Sequence, residues 1–179
     1  VCVFREQSYT VATRLVCIRN QKRKILYESN KQQSPYNWGK VTKINYSTED
    51  GKNLNGLLYY PSNYDSTKKY PLIVFIFSEM SRYLHDYMSP SNYNDTGFNI
   101  KNFVLKDYFV LAPDIVYDEG FPGISAYNCV EAATKSVIAT GLIDSKRIGL
   151  TGHSFGGYET NFIVTKSTLF ACAVAGAGI

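Results

Sequence analysis

Gly152-His153-Ser154-Phe155-Gly156 has the form G-x-S-x-G. A serine in this frame becomes an exposed nucleophile when the chain turns sharply from a strand into a helix around it. The turn is tight enough that side chains beside the serine would collide. Gly152 and Gly156 remove them, and Gly157 gives further room. In such a turn the backbone N–H of Phe155 is aimed at the place where an oxyanion would form. The chemistry this arrangement offers is acyl transfer through Ser154.

The flanking residues supply the elements the motif needs. Arg147 to Thr151 reads as a short buried strand and Tyr158 to Thr165 as a helix, with Tyr158, Phe162 and Thr165 at helical spacing. Further back, Pro71 to Phe77 and Phe109 to Pro113 are continuous apolar runs, as in parallel strands buried on both faces. Ser125 to Thr140 carries Ala126, Val130, Ala133, Val137 and Ile138 on one helical face and ends at Gly141. Phe170 to Ala175 reads as a fourth buried strand. Strands alternating with helices predict βαβ units, with the functional crevice at the carboxyl ends of the strands. Ser154 falls at such an end. Ser78 to Asn99 is a long polar and aromatic loop between two of these strands.

The first third of the chain is organised differently. Thr10 to Ile18 and Lys24 to Glu28 predict a hairpin around Arg19 to Lys22. Ser29 to Gly39 is a polar connector. Lys40 to Tyr46 and Leu54 to Tyr60 predict a second hairpin, with Asp50-Gly51 as its turn signal.

Composition sets outer limits. Of 179 residues 45% are hydrophobic and 19% charged, which predicts a packed core. The net charge of +4 is not gathered into a basic run with interleaved aromatics, so nucleic-acid binding has no support. No apolar stretch approaches the ~20 residues of a membrane span. Two histidines without nearby ligand partners, and four cysteines without C-x-x-C spacing, give no metal site. Cys2, Cys17, Cys129 and Cys172 read as small buried residues, Cys172 as core; the count alone leaves a disulfide open. With Val1 at its start and its first methionine at Met80, the sequence reads as an internal piece of a longer protein.

Arg147-Ile148-Gly149-Leu150-Thr151-Gly152-His153-Ser154-Phe155-Gly156-Gly157-Tyr158 resembles the elbow of the prolyl oligopeptidase family of serine peptidases, which includes dipeptidyl peptidase IV and acylaminoacyl peptidases. The added Gly157-Tyr158 separates it from generic esterases. Asp50-Gly51-Lys52, Leu57 to Pro61, Lys68 to Val74 and Gly141 to Asp144 resemble the entry into that family's hydrolase domain. The resemblance covers residues 37 to 179. It implies an α/β-hydrolase fold, a mostly parallel sheet with flanking helices, there; residues 1 to 36 would be the end of a β-propeller and a connector. It further implies cleavage of short peptides by a Ser, Asp, His triad, without cofactor or metal, and a secreted or periplasmic location. Ser154 corresponds to the nucleophile, the Phe155 N–H to one oxyanion donor, and the Phe155 ring to an aromatic of the substrate pocket.

Two departures stand out. The family's second oxyanion donor is a tyrosine after the first buried strand, and here that position is Phe77, which has no hydroxyl. Either Tyr83 or a backbone amide near Ser78 replaces it, or activity is weakened. The 25 residues after Ser154 contain neither Asp nor His, so the partners are expected beyond Ile179 and the piece itself is expected to be inactive. Other candidates read as structural: His153 turned away from the serine, His85 and Asp114 in loop packing, Asp118 and Glu119 in a solvated turn, Glu159 beside a basic neighbour. Tyr83, Tyr87 and Tyr93 line either a pocket or an ordinary packed loop. Two rival functions stay open: an esterase on the same fold, and a non-catalytic binding relative, which Phe77 favours. Oligomeric state is left open.

Overall fold

The computed structural model describes residues 1–93 and 96–178; Asn94 and Asp95 of the long loop, and Ile179, lie outside them. Strands β1 (Cys2–Glu6), β2 (Arg14–Arg19) and β3 (Lys22–Glu28) form a small antiparallel sheet in that order. The expected hairpin is β2–β3. Asn20 and Gln21 take φ of 48° and 60°, the two left-handed residues that a tight hairpin turn requires. β1 is an addition: Cys2–Glu6 has no turn signal on either side that marks it in the sequence.

The second sheet contains β4 (Val41–Ser47), β5 (Asn53–Tyr59), β6 (Tyr70–Ile76), β7 (Phe109–Pro113), β8 (Ile143–His153) and β9 (Cys172–Gly176). Their spatial order is β4-β5-β7-β6-β8-β9. β4 and β5 form the hairpin expected around Asp50-Gly51, and β5 runs antiparallel to β7. The β6–β7, β6–β8 and β8–β9 pairs are parallel. Three helices connect them: α1 (Ile100–Val104), α2 (Pro122–Ile138) and α3 (Phe155–Val164). The architecture is a mixed, mostly parallel sheet with helices, hence α/β.

Both faces of this sheet are covered, which is why its central strands read as unbroken apolar runs. On one face Leu72, Val74, Ile76, Leu111, Ile148 and Leu150 pack with Ala126, Val130, Ala133 and Val137 of α2 and Ile163 of α3. On the other, Leu57, Tyr59, Val110 and Ala112 pack with Ile100 and Val104 of α1, and with Tyr9 and Met80.

Connectivity places the functional crevice. From β6 the chain passes to β7 on one side, and from β8 to β9 on the other, while β6 and β8 lie next to each other. The loops leaving these two strands part company at their carboxyl ends, which opens a crevice there. Ile76 of β6 pairs with Gly152 of β8, so the crevice opens between Phe77 and Ser154.

Some details differ from the sequence reading. α2 begins at Pro122, because proline is suited to a first helical turn. α3 begins at Phe155, directly after the serine, and not at Tyr158. α1 is an extra short helix, capped by the Asn99 side chain, which accepts from the Lys101 N–H at 3.1 Å. The cysteine expectation fails. Cys129 is buried in α2, but Cys17 is half-buried and Cys2 and Cys172 are exposed; all four are free. Cys172 lies on β9, which among the described residues has β8 as its strand neighbour.

Candidate active site

Ser154 is exposed at the junction of β8 and α3, with φ 56° and ψ −121°. A non-glycine residue held there is strained, at a cost of roughly 1–3 kcal/mol. Its neighbours hold it in place. The Ser154 N–H donates to the Gly176 carbonyl at 2.8 Å, and its own carbonyl accepts from Gly157 at 2.9 Å and Tyr158 at 3.1 Å. Backbone meets backbone throughout. A Cβ on Gly152 would overlap the Gly156 carbonyl, and one on Gly156 would overlap the Ile76 carbonyl. One on Gly157 would lie 2.5 Å from the Gly176 oxygen. The glycine spacing read in the sequence is therefore a steric requirement of this turn.

Beside Ser154 opens a cavity of about 480 Å³. Its walls are mostly aromatic and sulfur-bearing, among them Tyr59, Phe75, Phe77, Met80, Tyr83 and Tyr87. Phe77 and Ser154 both border it. Tyr83 and Tyr87 also line the cavity, while Tyr93 does not and is almost fully exposed. The Tyr83 hydroxyl accepts from the Arg82 guanidinium.

The Phe155 ring is placed elsewhere. It is not among the residues lining this cavity; it stacks on Tyr158 at 5.5 Å and meets Tyr117 edge-on at 5.5 Å. The Phe155 backbone N–H has no backbone acceptor among the described residues. Phe155 follows a serine with non-helical dihedrals, so its N–H is one of the unpaired donors that open a helix.

The remaining candidates fall into place around this core. His153, expected to turn away from the serine, is half-buried and borders the same cavity. His85 lines a separate surface hollow with Tyr9, Lys40 and Val41. Asp114 binds loops: its carboxylate accepts from the Ser81 N–H at 2.6 Å and its carbonyl from the Tyr46 hydroxyl. Asp118 accepts from the Lys52 ammonium at 2.6 Å and from the Ser125 hydroxyl at 3.4 Å. Among the described residues no side chain hydrogen-bonds the Ser154 hydroxyl, and no group of His, Cys, Asp and Glu could hold a metal ion. No helix is long and apolar enough to cross a membrane.

Two buried ionisable groups near the site were not assigned these settings by sequence reasoning. Among the described residues Glu159 makes no ion pair with a basic side chain; it accepts from the Tyr117 hydroxyl at 2.6 Å, and burial pushes its carboxyl up to about 7. Lys101 on α1 is fully buried, with its ammonium 4.5 to 5.1 Å from the ring centroids of Tyr9, Trp38 and Tyr87. Burial lowers it to about 8, and the rings stabilise its charged form. In the sequence, the available signal for Glu159 is an acid four residues before the apolar Ile163 on the same helix. Lys101 has none, because the three rings of its cage come from three separate segments.

Residues 125–179, which contain β8, Ser154 and α3, match the family described as the prolyl oligopeptidase family. Over a longer stretch the chain is similar to individual proteins. It is 29% identical over 149 residues to an uncharacterized peptidase, YuxL, of Bacillus subtilis, which covers 74% of this chain and 21% of that protein. It is 28% identical over 151 residues to a probable chloroplastic glutamyl endopeptidase of Arabidopsis thaliana, covering 75% of this chain and 16% of that one. The chain thus spans about a fifth or less of the length of these relatives. Acylaminoacyl peptidase from Pyrococcus horikoshii superposes with a TM-score of 0.77 at 20% identity, over 99% of this chain and 29% of that structure. Porphyromonas gingivalis dipeptidyl peptidase 4 gives 0.76 at 18% identity, over 99% and 27%. These structures share the fold of this chain.

Proposed function

We propose that this chain is part of a serine peptidase of the prolyl oligopeptidase type, which cleaves short peptides through an acyl-enzyme on Ser154. The observation that carries the reading is the strained, exposed Ser154 between β8 and α3, at the crevice that opens beside β6. The free Phe155 N–H serves as one oxyanion donor. The cavity beside Ser154 takes a large apolar side chain of the substrate, since aromatic and methionine side chains dominate its walls. Residues 37–179 then belong to an α/β-hydrolase domain, and residues 1–36 to the edge of a β-propeller with its connector, which the exposed three-stranded sheet supports. The aspartate and histidine that activate the serine are supplied from outside these 179 residues.

A second reading, a non-catalytic relative that keeps the fold for binding, is favoured by Phe77, because it removes a hydroxyl from the oxyanion side. A fluorophosphonate reagent separates the two. In the intact protein we expect covalent labelling, abolished in Ser154→Ala, and turnover of a peptidyl chromogenic amide. The 179 residues alone should turn nothing over. An intact protein that is folded yet neither labelled nor active selects the binding relative.

A further inference from the structure

Glu159 sits one turn into α3 at 0% exposure, and its Oε2 has no hydrogen-bond partner. Among the described residues it has no ion-pair partner either. The titratable side chains on the elements around it are Tyr117 before α2, Tyr127, Cys129, Glu131 and Lys135 of α2, Tyr70 of β6, Asp144, Lys146, Arg147 and His153 of β8, Tyr158 of α3 and Cys172 of β9. Of these, Tyr117 bonds it. The Tyr117 oxygen lies 2.6 Å from Glu159 Oε1 and 3.0 Å from the Phe77 carbonyl oxygen. A phenol has one proton and cannot serve two acceptors at full strength. A neutral Glu159 resolves the conflict: its O–H donates to the Tyr117 oxygen, and the Tyr117 O–H donates to the Phe77 carbonyl. Neutrality also explains how a carboxyl is housed there without a cation. The upward push on both groups by burial agrees with this.

The far end of this chain of bonds lies at the serine. Phe77 follows β6, borders the Ser154 cavity, and its Cα would lie 3.5 Å from a Cβ on Gly156. The next carbonyl, that of Ser78, accepts from the Ile115 N–H at 3.1 Å. Bonding both carbonyls fixes the planar Phe77–Ser78 peptide, and with it the Ser78 N–H, which is trans to the Phe77 carbonyl. We propose that Glu159, acting through Tyr117 as a neutral acid, is a positioning residue that holds the Phe77–Ser78 peptide in place beside Ser154. The inference rests on the reading of Ser154 as a nucleophile. It gives the side of the site that lacks a tyrosine hydroxyl a rigid backbone instead.

The test uses the intact protein with a peptidyl amide substrate. Wild type should lose kcat as pH rises through about 7, where Glu159 ionises. Glu159→Gln carries a permanent amide donor and should flatten that alkaline fall. Tyr117→Phe should lower kcat about tenfold with a smaller change in KM. Equal profiles for wild type and Glu159→Gln, or an unchanged kcat in folded Tyr117→Phe, would overturn the proposal. The 13C shift of the Glu159 carboxyl, followed against pH, needs no activity. A midpoint near 7 that moves in Tyr117→Phe supports the chain of bonds; a midpoint with ordinary carboxylates overturns it. If wild type itself turns nothing over, the nucleophile reading has failed, and the carboxyl titration decides the Glu159 arrangement separately.

Discussion

The two sides of Ser154 are built from different materials. Toward α3 and β9 the contacts are backbone on backbone, with glycines where side chains would not fit. Toward α1 and the long loop they are rings, methionines and one caged lysine around an open cavity. The first arrangement has no slack, since nothing can move aside except main chain. The second can repack, because side chains change rotamer at small cost while main chain in a sheet does not. A site made this way holds its nucleophile rigidly and leaves its pocket adjustable.

Substitutions on the rigid side test this most severely. Gly156→Ala puts a methyl group into the Ile76 carbonyl and should cost at least about 3 kcal/mol, read from urea denaturation. A cost below about 1 kcal/mol would mean that β6 and the elbow can separate, and the contrast would be lost. On the adjustable side, Lys101→Ala should cost about 2 kcal/mol through the void it leaves. Lys101→Met, similar in volume, should stay within about 1 kcal/mol. The same lysine has a pH signature. Because burial lowers it to about 8, the unfolded chain holds its proton above that pH while the folded chain does not. Stability gained from this group therefore rises with pH from about 8 toward the ordinary lysine value, and Lys101→Met should remove that slope. The smallest effect is a gain. Ser154→Gly relieves the positive φ and should raise stability by about 1 kcal/mol in thermal unfolding, while removing the reactive hydroxyl.

The same contrast explains what could be read in the sequence. The elbow is a local constraint. Gly152, Ser154, Gly156 and Gly157 are neighbours in the chain, so the steric demand of one turn is written in six residues. The buried parallel strands are legible for a similar reason, since burial on both faces demands the unbroken runs at Pro71 to Phe77 and Phe109 to Pro113. Lys101 is different. Its cage joins Tyr9, Trp38 and Tyr87 from three distant segments of the chain, and nothing near Lys101 hints at burial. The Tyr117–Glu159 bond joins residues 42 apart, which is why the sequence reading gave Glu159 a basic neighbour instead. Cys172 sits in an apolar run that reads as a buried strand, and within these 179 residues it is exposed on β9.

Trp38 is the sole tryptophan of the 179 residues. Its indole N–H donates to the Gln33 carbonyl at 2.9 Å, and its ring lies 4.9 Å from the Lys101 ammonium. The protein therefore carries an intrinsic fluorophore at one seam, between the connector before β4 and the helix at 100–104. Its emission colour reads, without dye or label, whether those two pieces are seated together, and no second indole within these 179 residues blurs the signal.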